Sequence, residues 1–190
     1  ICTVYEVGET EDRQLFFAMA FYEGETLQQR LTGGPFELKE AIHITLQMLD
    51  GLGRAHEAEI IHRDIKPANI LMTYRGEVKI LDFGLAKIKS QSNHTKVGTT
   101  LGTLAYMSPE QIRGELVDQQ TDIWSVGAVL YEMLTGQLPF RAEYEHALMY
   151  LILNENPKPL SAIKPELPST ANQVNAKALE KNQNDQYQTI

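Results

Sequence analysis

Cysteine is almost missing from this sequence: Cys2 stands alone, so no disulfide can form within the chain and a reducing compartment is the expected setting. An excess of positive charge is missing too. The formal net charge is −8, and no basic stripe is available to follow a phosphate backbone, which sets nucleic-acid binding aside. Long apolar runs are absent as well. The longest, Ile123 to Leu134, is interrupted by Ser125, Gly127 and Glu132 and falls short of the ~20 residues needed to cross a bilayer. No membrane contact is therefore expected within the chain. The opening residues, Ile1-Cys2-Thr3-Val4, carry neither an initiator methionine nor a basic leader and read as a piece of something longer. There is no internal repeat and no low-complexity tail. What remains is ordinary: 190 residues, 43% hydrophobic and 22% charged, enough for one domain with a real core.

Hydrophobic periodicity sets the expected elements. Residues 1–7 and 14–20 are rich in strand-formers around a polar turn, Gly8 to Arg13, so a hairpin opens the chain. Leu38, Ile42, Leu46, Leu49 and Leu52 recur at helical spacing and predict one long amphipathic helix to about His56. Ile60 to Asn69 is polar and proline-containing, a loop. Strands at Ile70–Thr73 and Glu77–Leu81 are joined at Arg75-Gly76. Residues 84–107 show no period, and a stretch of that length without structure is usually functional. A helix over about 119–135 is apolar on all sides and closed by Gly136. Further helices are expected near 143–153 and 170–181, across a connection holding Pro157, Pro159, Pro165 and Pro168.

Four islands carry chemistry. His62-Arg63-Asp64-Ile65-Lys66-Pro67-Ala68-Asn69 lies in the loop after the long helix. Transfer of a phosphoryl group needs a carboxylate to orient the attacking hydroxyl, a cation near the migrating phosphate and an oxygen ligand for Mg²⁺. Asp64, Lys66 and Asn69 supply all three. Asp64 alone is more readily a charged surface residue; the octet is not. Asp82-Phe83-Gly84 follows a strand, and its carboxylate suits Mg²⁺, which takes one or two carboxylates plus phosphate oxygens. The third island is Gly102-Thr103-Leu104-Ala105-Tyr106-Met107-Ser108-Pro109-Glu110, and the fourth Asp122-Ile123-Trp124-Ser125-Val126-Gly127.

Together and in this order, the four islands resemble the signature set of the protein kinases: catalytic loop, magnesium triad, activation segment and a buried Asp-x-Trp helix. The resemblance covers essentially the whole chain. Tyr-Met-Ser-Pro-Glu-Gln (106–111) and Leu-Thr-Gly-Gln-Leu-Pro-Phe (134–140) are most similar to bacterial kinases of the eukaryotic type. The implied fold is α+β, a kinase-like large lobe that is mainly α-helical, with a short β-hairpin left from the small lobe. Residues 1–20 would be the last two small-lobe strands, 21–25 the hinge and 26–190 the large lobe, with the catalytic loop at 60–69 and the activation segment at 82–110.

The resemblance also implies roles. Asp64 is similar to the catalytic base, Lys66 to the cation that steadies the γ-phosphate, and Asn69 and Asp82 to the Mg²⁺ ligands. Met19 falls at the gatekeeper position, Ala20, Phe21 and Tyr22 at the hinge that bonds adenine, and Leu71 beneath the adenine ring. His62 and Phe83 resemble members of a stacked spine, and Gly84 completes the magnesium triad. Thr103 resembles the threonine that contacts the catalytic aspartate and helps prefer Ser/Thr over Tyr. Asp122 resembles the aspartate that holds the catalytic-loop backbone. Arg63 and Lys87 resemble a basic pocket for a phosphorylated threonine, with Thr99 at the family's commonest spacing and Thr95 and Thr100 as rivals. Glu110 resembles the carboxylate that anchors the end of the activation segment.

The expected activity is ATP- and Mg²⁺-dependent phosphorylation of a protein Ser/Thr hydroxyl, in the cytoplasm or on the cytoplasmic side of a membrane. A dimer through the missing small-lobe parts is left open. Two alternatives stand beside it: a pseudokinase or scaffold without turnover, and, more remotely, a small-molecule phosphotransferase. The chain departs from the pattern in two ways. It contains no glycine-rich loop, strand lysine or helix glutamate, so the fragment itself is expected to be inactive. Near the C-terminus, Gln186 stands in the position of an arginine that pairs with Glu110, Gln183 where proline is usual, and Asn175 where an apolar residue is preferred. Glu110 is therefore expected to be buried and incompletely paired, with Gln186 offering it only a neutral amide.

Overall fold

The computed structural model describes residues 1–10, 12, 14–83 and 101–190. Strands β1 (Val4–Glu9) and β2 (Leu15–Met19) form the antiparallel hairpin expected at the start, in register from Val4 opposite Met19 to Glu9 opposite Leu15. Three short strands make a second antiparallel sheet in the order β3 (Gly24–Thr26), β4 (Ile70–Thr73), β5 (Val78–Ile80). The β4–β5 turn closes at Gly76, whose φ of 80° suits the only residue without a Cβ. Strand β3 was not foreseen. Residues 24 and 25, the end of the segment 21–25 expected as the hinge, pair with Thr73 and Met72, because backbone amides beside an open strand edge are satisfied by joining it.

Thr26 ends β3 and caps α1 (Leu27–Leu31) through a reciprocal bond pair with Gln29. Helix α2 (Leu38–Glu57) has the bounds expected, but its buried face does not. Ala41, Ile44, Met48, Leu52 and Ala55 point inward, while Ile42 and Leu46 are exposed. The inward stripe includes alanines and a methionine that a search for large aliphatics overlooks, and it turns the helix by about half a face.

A one-turn helix α3 (Leu101–Leu104) lies within the stretch expected to be irregular, followed by α4 (Pro109–Arg113) and the central α5 (Gln119–Thr135). Helix α5 starts on the Asp118 side chain, which accepts from Gln120 N, and stops at Gly136 with φ 69°. It is buried almost all round. On one side Val126, Val129, Met133 and Leu134 join Met48 and Leu52 of α2 and Ile65, Ile70 and Ile80. On the other, Trp124 and Ala128 join Leu104, Phe140, Leu148, Ile152 and Leu179. The last elements are α6 (Glu145–Asn154), a one-turn α7 (Leu160–Ile163) inside the proline-rich connection, and α8 (Ser169–Ala178). Among the described residues, no helix is long and apolar enough to cross a membrane.

Candidate active site

The loop between α2 and β4 is held open by side chains from neighbouring elements. Asp122, in the first turn of α5 and fully buried, accepts from three donors. Its Oδ1 takes the Arg63 N–H at 2.8 Å, and its Oδ2 takes the His62 N–H at 2.9 Å and His56 Nε2 at 2.8 Å. Arg63 has φ 69°, a conformation a non-glycine residue adopts only when its surroundings impose it. His62 donates from Nε2 to the Leu81 carbonyl at 2.8 Å, and its Nδ1 accepts the Asp64 N–H at 3.2 Å. Those partners assign the neutral Nε2–H tautomer. One imidazole thus joins the loop to the residue before Asp82, and its ring meets Phe83 edge-on with centroids 4.6 Å apart.

Around Asp64 the polar groups converge. Lys66 Nζ lies 3.0 and 2.9 Å from the two carboxylate oxygens and 3.3 Å from Thr103 Oγ1. Asn69 Nδ2 donates to the Asp64 carbonyl at 2.7 Å and to Oδ2 at 3.1 Å. Thr103 and Asp64 thus share Lys66 Nζ as a partner, and among the described residues no hydrogen bond joins the two directly. Asn69 sits at the foot of β4, and its carbonyl accepts the Leu81 N–H at 2.8 Å, so Asp82, with φ 59°, emerges beside it. Among the described residues neither Asn69 Oδ1 nor the Asp82 carboxylate takes a hydrogen bond, which leaves each of them a hard oxygen donor open to another partner. That set fits Mg²⁺. No cluster of three or more His, Cys, Asp or Glu among the described residues encloses a metal by itself, so an ion here would draw its other ligands from phosphate and water.

On the flank, Lys66 and Thr103 also border an open cavity of about 390 Å³ with Gln28, Tyr106 and Glu132. The Tyr106 hydroxyl donates to Glu132 Oε2 at 2.6 Å, and burial pushes the Glu132 carboxyl above its usual range. Of the residues expected at the gatekeeper and hinge positions, Met19 ends β2, Ala20 N donates to the Thr3 carbonyl, Phe21 is highly exposed, and Tyr22 lies under Lys79 Nζ. Leu71 is in β4 between Thr26 and Lys79. Gly84, Lys87, Thr95, Thr99 and Thr100 lie outside the described residues.

The chain matches the protein kinase domain family over residues 1–188. It belongs to that family. Bacterial relatives in the same family align with the whole chain: the serine/threonine-protein kinase PrkC of Bacillus subtilis at 36% identity, and the serine/threonine-protein kinases PknB of Mycolicibacterium smegmatis and Mycobacterium tuberculosis at 38%. The chain spans 29% of the PrkC length and 31% of each PknB. The kinase-like large lobe with a small β portion is thus the fold in fact.

Glu110 of this kinase domain is buried, as expected, but its partner is not Gln186. Glu110 Oε1 accepts the Thr121 hydroxyl at 2.5 Å. Gln186 is turned away: its Nε2 donates to the Ala178 carbonyl at 2.9 Å, and its buried Oε1 has no partner among the described residues. Arg113 reaches Glu115 instead, and Lys181 Nζ donates to the Ile152 carbonyl at 2.6 Å over the Trp124 and Phe140 rings. Asn175 is satisfied in its buried position by the Gly127 carbonyl at 2.8 Å. Thr121 and His56 were not singled out from the sequence, because each is one of several polar residues on its helix and no spacing rule marks it.

Proposed function

We propose that this chain carries the catalytic half of an ATP-dependent protein serine/threonine kinase. The observation that supports it best is the Asp64 carboxylate, contacted by Lys66 and Asn69 beside Asp82. Asp64 orients a substrate Ser/Thr hydroxyl and receives its proton as the oxygen attacks the γ-phosphorus and the bond to the β–γ bridging oxygen breaks, releasing ADP. Lys66, already against both Asp64 oxygens, is near enough to meet the charge on the transferring group. Asn69 is pinned through its amide nitrogen, so its oxygen faces the cleft beside Asp82, and the two would hold the metal. Mg²⁺, when bound, neutralises phosphate charge. His62, Asp122 and Phe83 position the loop, and Met19, Ala20, Phe21, Tyr22 and Leu71 line the adenine side. The relatives' printed activity, the placement of Thr103 beside Lys66, and the lone cysteine support a protein Ser/Thr substrate and a cytoplasmic setting.

Asp64→Asn in the full-length kinase is expected to lower turnover by about 10²–10⁴ with ATP affinity little changed. Turnover within a factor of two of the wild type, in a steady-state phosphate-transfer assay, would remove Asp64 from the mechanism. A wild-type protein that binds Mg·ATP yet shows no transfer to any protein would favour the scaffold reading.

A further inference from the structure

The peptide plane that delivers Asp64 is the one joining Arg63 to Asp64, and it is pinned at both ends. Its N–H end, on Asp64, is bonded to His62 Nδ1 at 3.2 Å. Its carbonyl end, on Arg63, accepts Gln111 Nε2 at 2.8 Å. The preceding plane is fixed as well, because the Arg63 N–H is taken by Asp122. Arg63 thus keeps φ 69° with both of its peptide groups occupied by side chains from α4 and α5. A strained backbone persists only where such contacts over-determine it.

Gln111 has a second bond. Its Oε1 accepts the Ser108 N–H at 3.0 Å, while the Ser108 hydroxyl faces the Gln111 N–H at 3.4 Å, a capping box that starts α4. Ser108 Oγ is also 3.3 Å from Thr121 Oγ1, which donates to Glu110. One amide therefore uses its acceptor to cap the helix after the 101–108 segment and its donor to hold the loop bearing Asp64. We infer that Gln111 is a positioning residue: it ties the Arg63–Asp64 peptide plane to the end of the activation segment, so that the placement of Asp64 depends on that segment being seated. The inference rests on the kinase reading above for its catalytic consequence, but the tether itself is a property of the backbone.

The two halves of the amide separate by substitution. Gln111→Glu keeps the acceptor that caps α4, where Glu serves a capping box as well as Gln, and loses the donor to Arg63. Gln111→Arg keeps a donor and loses the reciprocal half of the capping box, the acceptor of the Ser108 N–H. In the full-length kinase, Gln111→Glu is expected to lower kcat about tenfold with KM for ATP and the melting midpoint nearly unchanged. Gln111→Arg is expected to recover most of kcat at a lower midpoint. In the 190-residue chain, amide hydrogen exchange at Asp64 should quicken in Gln111→Glu only. If kcat and the Asp64 exchange rate are unchanged in Gln111→Glu, or if activity in both variants merely follows the melting midpoint, the tether is overturned. A wild type without phosphoryl transfer would refute the kinase reading while the exchange measurement still decides the tether.

Discussion

Two buried carboxylates hang working segments on the first turn of α5, and they are served very differently. Asp122 accepts from three donors, two of them backbone amides of the loop between α2 and β4. Glu110 has one donor among the described residues, the Thr121 hydroxyl, and borders an open cavity of about 420 Å³ with Arg113, Lys181 and Asn184. The comparison teaches that burial alone does not say how firmly a charge is held. A carboxylate accepting several short bonds from fixed backbone is part of the scaffold, and one resting on a single hydroxyl can be displaced.

The difference is largest when the acceptor at the loop between α2 and β4 is removed. Asp122→Ala strands two loop amides and His56 Nε2, and it is expected to lower stability by about 3–5 kcal/mol, read as a shifted denaturant midpoint. A loss near 1 kcal/mol would mean that water replaces the carboxylate and that the contrast with Glu110 is false. Thr121→Val deletes the one donor to Glu110 while keeping the shape of the side chain, with an expected loss of about 1–3 kcal/mol. A loss as large as that of Asp122→Ala would make the two anchors equal.

Adding to the weaker anchor should sharpen the contrast. Gln186→Arg replaces a side chain whose Oε1 has no partner among the described residues with a longer cation; if the new side chain turns to Glu110, it is expected to stabilise the domain by about 1 kcal/mol. A melting midpoint unchanged or lowered would show that the Thr121 bond already suffices. The smallest effect concerns pH. Burial lowers the Lys181 ammonium from its ordinary 10.5 to about 8, Arg113 adding to the shift and Glu180 and Glu155 opposing it. Between those values the unfolded chain keeps a proton that the folded chain has released, so stability should rise as pH climbs from about 8 towards 10.5. The two aromatic faces and the Ile152 carbonyl favour the charged form, and the side chain is part-solvated, which limits the gain to at most about 1 kcal/mol. Lys181→Met should flatten this slope in pH-dependent melts; an unaltered slope would assign it to another group.

The clustering of Asp64, Lys66 and Asn69 was legible because they fall within six positions of one loop, so their contacts follow from adjacency in sequence. The long helices were legible for the same reason, since α2 and α5 start where the pattern put them. The supporting bonds were not. Thr121 to Glu110, Gln111 to Arg63 and His56 to Asp122 join residues 11, 48 and 66 positions apart, and no periodicity links such pairs. The pairing of Gly24 with Thr73 was hidden because a three-residue strand carries too little alternation to announce itself. The inward face of α2 was misjudged because its small residues, Ala41 and Ala55, are chosen by the space left to them.

One contact on the far side of α5 governs more than its size suggests. A Cβ on Gly127 would stand 2.9 Å from the Ala178 Cβ and 3.3 Å from Leu179, so α5 and α8 meet here with no room for a methyl group, beside the Asn175 amide on the Gly127 carbonyl. This spacing acts as the datum from which the chain beyond α8 is measured, including Lys181 over its rings and Gln186 beneath Ala178. A single added methyl at 127 would shift that datum by a few tenths of an ångström and misalign both without touching either.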